Sequence, residues 1–180
     1  FLSAYGLVMK YEHNGTSHPV SYVKSIPFFR YHFLKLFRMM IAGFIAFVIV
    51  DQMTPGAFHY QVMDVIAQLG LFNNFFPHPD QVIWPGPYWF FGMLLQLYVV
   101  YRLCFYRRKN RWVLIALLLC TFGQFLFDPE GDALNWYRYN FMGSMLPFCC
   151  GLLFAREQRL IATWRNRMGR CQFDGFVLVL

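Results

Sequence analysis

The sequence predicts an all-α fold, a polytopic transmembrane helix bundle with about four full spans and partial spans at both ends. Hydrophobic residues fill 58% of the 180 positions and charged residues only 14%, against about 45–50% and about 25% in soluble domains. Long apolar runs recur along the chain, and clusters of basic residues alternate with them. These observations argue against a disordered tail, a nucleic-acid module and a coiled coil, and they indicate lipid as the surrounding solvent.

Four apolar runs are the candidate spans, and shorter apolar stretches lie at both ends of the chain. The runs cover positions 39–50, 88–101, 112–127 and 141–155, and the end stretches cover 1–9 and 176–180. A straight span needs about 20 residues, so Lys and Arg stems and flanking aromatic residues must extend each run towards the headgroups. Buried core helices of a soluble protein would also produce apolar runs, but the low charge content favours a membrane. The abrupt apolar ends predict a fragment of a longer polypeptide.

The basic residues predict the orientation of the runs. Of the 16 Lys and Arg residues, all but Arg138 lie in the three segments 10–38, 102–111 and 156–170. If each run crosses the membrane once, these segments share one side, which is the positive-inside pattern. We therefore expect a multi-pass protein of the plasma (inner) membrane with cytoplasmic basic loops. The loops 51–87 and 128–140 are then external, and the net charge requires no nucleic-acid partner.

The long external loop is expected to contain a helix of its own. Apolar residues recur at helical spacing between positions 58 and 72, with polar residues between them. This pattern indicates an amphipathic helix that lies on the outer leaflet or packs over the bundle. Four prolines then break the chain before the second run, at Pro77, Pro79, Pro85 and Pro87.

The sequence contains no complete catalytic set and no recognisable metal site. Its five cysteines include no CxxC pair. Asp128, Glu130 and Asp132 are similar to the start of a calcium loop, but the later ligands are missing, so we expect a solvated turn. The glycosylation pattern at 14–16 falls on the predicted cytoplasmic side and should stay unmodified.

Polar residues inside the apolar runs are better candidates for function. They are Gln96, Thr121, Gln124 and Ser144. A polar side chain in hydrocarbon needs a partner, so each either bonds to a neighbouring helix or faces a cavity.

A second group of candidates is basic and precedes the first run. Lys35 and Arg38 share a helical face at i, i+3, and Arg30 lies upstream of them. At the cytoplasmic interface these side chains either anchor the helix or hold the phosphates of an anionic cofactor.

Four stretches of the chain resemble the acyltransferase 3 family, and they occur in the family's order. Residues 1–7 (FLSAYGL) resemble its second-helix motif F-[IL]-S-G-[FY]-x-[IL], and residues 33–38 (FLKLFR) resemble the basic stretch that opens its third helix. Residues 87–98 (PYWFFGMLLQLY) resemble its W-F-[LF]-x(4)-Q-[FL]-Y helix, the most specific of the motifs. Residues 141–157 resemble a later helix that ends in a glycine-rich, arginine-capped turn.

The resemblance implies a multi-span enzyme that moves an acyl group, commonly acetyl, from cytoplasmic acyl-CoA to a sugar hydroxyl on or beyond the outer face. It also implies a catalytic His, following an Arg, on a helix upstream of Phe1, so we assign no catalytic residue here. The chain departs from the family pattern at Ala4, where Gly is expected, and at Met39 and Met40, which replace a frequent Tyr/Pro pair. Neither departure removes a charge.

We therefore interpret residues 1–180 as a single integral-membrane acyltransferase-like domain, a fragment that is inactive by itself. The resemblance implies acyl-CoA as the donor, a carbohydrate acceptor and the lipid bilayer as partners, with neither a metal nor a nucleic acid. The expected CoA-binding residues are Arg30, Lys35 and Arg38, and the expected substrate-binding residues are Trp89, Gln96 and Tyr98.

The alternative is a non-enzymatic membrane transporter of a glycan or a small solute. Transporters also place polar residues near broken helices in the membrane. An Arg followed by a His in one apolar helix upstream of Phe1 would favour the enzyme, and an upstream sequence without an intramembrane His would favour the transporter.

Overall fold

The computed structural model describes residues 1–13, 25–54, 56, 61–76, 78, 88–126, 137–158 and 163. Every regular element within these ranges is a helix, so the predicted all-α fold is confirmed. The α-helices are α1 (Leu2–Val8), α2 (Ser25–Gln52), α3 (Val62–Leu69), α4 (Trp89–Val100), α5 (Asn110–Gly123) and α6 (Met145–Arg156). The chain divides into two compact units, 1–19 with 147–180 and 20–146, and the single domain over 1–180 stays a prediction.

The longest helix, α2, contains the first apolar run. Its 28 residues include one glycine and, after the first turn, no proline, so nothing interrupts the helix. Buried residues recur every four positions along it, at Phe28, His32, Leu36, Met40 and Phe44, and α2 packs against α4. Only 17% of its most apolar 18-residue window is buried. Most of an apolar surface therefore faces outwards, as a helix in lipid requires.

The other three runs form shorter helices. The 12-residue α4 continues as a π-helical segment, Tyr101–Phe105, while α5 has 14 residues and α6 has 12. The last run is shortened because residues 141–144 form turns and α6 begins only at Met145. Among the described helices, α2 alone is long and apolar enough to cross a membrane by itself, and α4, α5 and α6 are shorter apolar helices.

The predicted amphipathic helix of the long loop is confirmed as α3. Its buried positions are Ala67 and Gln68, and Val65 and Leu69 pack against a core cluster built on α2. The cluster consists of Leu36, Met40, Phe44, Leu71 and Tyr88. Of the two predicted arrangements, α3 therefore adopts the one in which it packs over other helices, while its remaining apolar side chains stay exposed.

The unit that contains both ends of the chain joins α1 to most of α6. A bidentate ion pair links α6 to the π-helical segment Met9–His13 that follows α1. Arg156 donates from Nε to Glu12 Oε2 at 2.8 Å and from Nη2 to Glu12 Oε1 at 2.7 Å. Gln158 also donates to the Tyr5 hydroxyl at 2.7 Å. Two parallel charge-assisted bonds hold the guanidinium and the carboxylate in one relative orientation.

Candidate functional site

One face of α4 carries two of the expected substrate-binding residues. Trp89 and Gln96 are seven positions apart, which is close to two helical turns, so they point to the same side. The Trp89 ring lies 4.7 Å from the Tyr139 ring, centroid to centroid, in an edge-to-face arrangement. Gln96 reaches the next residue, Asn140. The segment 139–141 therefore runs along this face of α4.

Both ends of the Gln96 amide are hydrogen-bonded to that segment. Its Nε2 donates to Asn140 Oδ1 at 2.9 Å, and its Oε1 accepts from the Phe141 backbone N–H at 3.0 Å. A primary amide has two donor hydrogens and two acceptor lone pairs, so one of each stays available. Gln96 thus connects two segments of the chain and could still bond to one ligand group.

The amide network extends from Asn140 to residues near α3. Asn74 Nδ2 donates to Asn140 Oδ1 at 3.3 Å, and Asn140 Nδ2 donates back to the Asn74 carbonyl at 3.0 Å. Asn73 Nδ2 donates to Gln68 Oε1 at 2.8 Å. These four amide side chains belong to residues no more than 1% exposed. In an interior such groups are costly unless they are paired, so the bonds between Asn140 and Asn74 restrict how their two segments can meet. Gln68 Nε2, Asn73 Oδ1 and Asn74 Oδ1 make no hydrogen bond within the described residues.

None of these four buried amides was among the candidate residues predicted from the sequence. A signal was present, because Asn73 and Asn74 interrupt an otherwise apolar stretch, 71–76. Two adjacent amides between aromatic residues indicate buried polar groups that need partners. The partner of Asn73 is only five positions away, whereas that of Asn74 lies 66 positions later in the sequence.

The backbone after α3 brings the two asparagines to α4. The Phe72 N–H bonds to the Ala67 carbonyl and the Leu71 N–H to the Gln68 carbonyl, which is the Schellman pattern of a helix end. Leu71 occupies its left-handed position with φ of 58°, where glycine is usual. Burial of the Leu71 side chain, which is 3% exposed, offsets this strain.

Gly92 allows α4 to approach this turn closely. A Cβ atom at position 92 would stand 2.6 Å from Asn74 Oδ1 and 2.7 Å from the Leu71 carbonyl oxygen. Both distances are well inside van der Waals contact, so any side chain here would displace the turn from α4. The absence of a side chain at Gly92 therefore positions Asn74 beside Gln96 and Asn140.

Tyr98 lies on the opposite side of α4 from Gln96. Two positions along a helix correspond to a rotation of about 200°, and the Tyr98 ring packs on His32 of α2, 4.6 Å between centroids. His32 is only 6% exposed and also lies 4.4 Å from the Phe28 ring. The structure therefore places Trp89 and Gln96 on one face of α4 and Tyr98 on the opposite face.

The expected CoA-binding residues are exposed on α2. At about 100° per residue, Arg30, Lys35 and Arg38 fall on one half of the helix circumference. None of them belongs to the buried stripe of α2. Their charged groups are thus accessible for an anionic ligand, and the structure does not bring them next to Trp89 or Gln96.

The segment before residue 139 is also joined to α5. The Tyr137 hydroxyl donates to the Cys120 carbonyl, and burial raises the pKa of the Tyr137 phenol, with a smaller contribution from Cys120. The phenol therefore stays protonated and serves as a donor at neutral pH.

Metal ligands do not gather in the described part of the chain. There, no group of three His, Cys, Asp or Glu residues could hold a metal ion. The calcium-like residues Asp128, Glu130 and Asp132 and the glycosylation pattern at 14–16 lie outside the described residues.

Comparison with known proteins identifies one family. Its model, described as "Acyltransferase domain", matches residues 1–180. The match includes α2, α4 and the segment 137–144. No curated protein and no solved structure matches the chain.

Proposed function

Because this chain belongs to the acyltransferase 3 family, we propose that the protein containing it moves an acyl group from cytoplasmic acyl-CoA to a hydroxyl of an extracytoplasmic carbohydrate. The family match over the whole of 1–180 is the observation that carries this proposal. Membership makes the protein a membrane acyltransferase, and the donor, the acceptor and a preference for acetyl are the proposed additions.

The proposed orientation has several helices crossing the plasma (inner) membrane with the basic segments in the cytoplasm. The exposed apolar surface of α2 supports contact with lipid. The grouping of Lys and Arg into 10–38, 102–111 and 156–170 supports one cytoplasmic side. With this orientation α2 starts at the cytoplasmic interface, and α4 starts at the outer one.

Arg30, Lys35 and Arg38 would bind the phosphates of the acyl-CoA. All three are exposed on one half of the α2 circumference, in the half of its length that comes before the apolar run 39–50. Arginine matches phosphate oxygens in a bidentate geometry, and lysine adds a point charge. The long stems reach out of the apolar surface towards the headgroup region, where a water-soluble donor arrives.

The acceptor would bind along the face of α4 that carries Trp89 at the outer end and Gln96 about 10 Å deeper. The Trp89 and Tyr139 rings present an apolar surface to a sugar ring. The available N–H and lone pair of Gln96 suit a hydroxyl. Tyr98 lies about 14 Å deeper than Trp89, on the opposite side of α4, and packs against α2, so we assign it to the wall of the path from the donor side.

Kinetics of the full-length protein in membrane vesicles tests the donor site. With labelled acetyl-CoA, Arg38→Ala should raise the KM for the donor about tenfold, because a charge-assisted bond to a phosphate is lost. The KM for the acceptor should not change. Arg111→Ala removes an exposed arginine from another basic segment and is the matched control. A wild-type donor KM for Arg38→Ala at normal protein level would exclude Arg38 from the site.

The same vesicles test the acceptor site and the reaction itself. Trp89→Ala should raise the KM for the acceptor and leave the KM for acetyl-CoA unchanged, and Trp89→Phe should restore most of the affinity. Uptake of a labelled glycan without acyl transfer from any acyl-CoA would contradict the enzymatic proposal and favour the transporter.

A further inference from the structure

A groove lies between the π-helical end of α4 and the first half of α5. Its volume is about 420 Å³, and its walls include Leu103, Phe105, Trp112, Ile115 and Leu119. Leu103, Trp112 and Leu119 are 63%, 49% and 69% exposed. The groove is therefore apolar and open along one side.

Arg108 is the basic residue that lines this groove. The chain reverses just before it, where Arg107 adopts φ of 56°, and the Arg108 N–H bonds to the Phe105 carbonyl at 2.9 Å. Arg108 is exposed, and two neighbouring arginines lie over aromatic rings, Arg102 4.6 Å from the Tyr106 ring centroid and Arg111 5.8 Å from that of Trp112. The turn thus presents Arg108 at the groove.

The segment that forms the groove carries positive charges only. The segment 101–127 contains five Lys and Arg residues, all between 102 and 111, and neither Asp nor Glu. A ligand with one anionic group and an apolar body complements this arrangement, because its charge meets Arg108 and its body follows the apolar wall.

The groove is short enough to lie within one leaflet of a membrane. Trp112, Ile115 and Leu119 follow one another at i, i+3 and i+7 on one face of α5 and extend over about 10 Å of helix axis. One leaflet of hydrocarbon is about 15 Å thick. Trp112 is at the end near the basic segment, the level at which tryptophan prefers the interface.

We propose that this groove binds an anionic phospholipid of the cytoplasmic leaflet, with the lipid phosphate at Arg108 and an acyl chain along Trp112, Ile115 and Leu119. The lipid would fill the space between the π-helical segment and α5. The proposal rests on the membrane placement proposed above and does not depend on the transfer reaction.

Quenching of Trp112 fluorescence by brominated lipids tests the site in the full-length protein. The protein is reconstituted in phosphatidylcholine vesicles that contain small fractions of brominated phosphatidylglycerol or brominated phosphatidylcholine. Subtracting the signal of Trp112→Phe isolates Trp112 from the other tryptophans. We expect half-quenching at about fivefold lower fractions of the anionic lipid, the preference expected for one basic residue near an anionic headgroup.

Variants of the arginine separate a built site from general surface charge. Arg108→Gln should abolish the fivefold preference and Arg108→Lys should retain most of it, whereas Lys109→Gln, the matched control at an exposed basic residue that does not line the groove, should leave it unchanged. Equal quenching by the two lipids in the wild type would overturn the proposal, as would equal losses in Arg108→Gln and Lys109→Gln.

A third arm distinguishes the lipid from the proposed acyl donor. Palmitoyl-CoA also combines phosphates with an acyl chain, so it is added at micromolar concentration. Anionic-lipid quenching that persists supports a lipid site. Relief of quenching in the wild type by palmitoyl-CoA would assign the groove to the donor and refute the lipid proposal. Since fluorescence is measured without turnover, failure here leaves the acyl-transfer proposal untouched.

Discussion

Replacing Gln96 with leucine tests whether the amide network connects α4 to the segment that precedes α6. The change keeps the volume of the side chain similar and removes two hydrogen bonds, one to Asn140 Oδ1 at 2.9 Å and one from the Phe141 N–H at 3.0 Å. The two partners are affected differently. Asn140 Oδ1 still accepts from Asn74, while the Phe141 N–H loses its acceptor.

The expected loss of stability follows from this difference. A net hydrogen bond contributes about 0.5–1.5 kcal/mol, and a buried donor left without an acceptor costs about 1–3 kcal/mol. Because both bonds are only partly buried, we expect the lower half of the summed range, a decrease of about 1.5–3 kcal/mol in the free energy of unfolding. For a domain of this size the melting temperature should fall by roughly 3–12 °C.

The assay is thermal unfolding of the purified full-length protein in detergent, without acyl-CoA or acceptor. Gln124→Leu is the matched control, since Gln124 is another half-buried glutamine and bonds through its side chain to no residue that the structure describes. This control should melt within about 2 °C of the wild type. The double variant Gln96→Leu with Asn140→Ala should show a coupling energy of about 0.5–3 kcal/mol.

An unchanged Tm for Gln96→Leu, or single effects that add without coupling, would refute the network as a structural connection. If Gln96 acts only through the acceptor, the variant should raise the KM for the acceptor and leave the unliganded Tm unaltered. The experiment therefore separates a residue that positions two segments from one that only contacts substrate.

Two further predictions concern close packing and the ion pair. Gly92→Ala would force a Cβ to within 2.6 Å of Asn74 Oδ1 and should lower the free energy of unfolding by about 1–3 kcal/mol. The control is Gly6→Ala, whose Cβ would meet no atom within 4 Å and which should raise the free energy of unfolding by about 0.5–1 kcal/mol. Equal Tm values for the two variants would contradict the close approach at residue 92. Arg156→Lys keeps the charge but cannot make both bonds to Glu12, so Tm should fall by the equivalent of about 1–2 kcal/mol. The same loss should appear in Glu12→Gln, and a wild-type Tm for Arg156→Lys would show that the bidentate geometry contributes nothing.

Much of the helical architecture could be predicted from local sequence. The apolar run at 39–50 lies inside α2, and the periodic apolar residues of the long loop produce α3. These predictions succeed because helix formation and amphipathicity depend on residues a few positions apart. The length of the last span was less predictable, since residues 141–144 form turns at the start of the fourth apolar run and its helix begins only at Met145.

The candidate site could be predicted only in part. The motif around α4 identified Trp89, Gln96 and Tyr98, but sequence spacing alone did not show that Tyr98 faces α2 while the other two face residues 139–141. Asn140 was missed because an asparagine in a loop is ordinarily solvated. Its role is visible only in the folded structure, where its side-chain amide is hydrogen-bonded to those of Gln96 and Asn74.

The sequence by itself determined that this protein is all-α, that its helices are strongly apolar, and that its basic residues are grouped in three segments, because these properties depend on composition and near neighbours. Only the tertiary structure decided which polar groups meet. Asn140 pairs with side chains 44 and 66 positions earlier, and it does so because the left-handed backbone of Leu71 and the bare backbone of Gly92 let two helices approach. A buried amide is stabilised only by a partner in the right orientation, and the folded path of the whole chain supplies that partner.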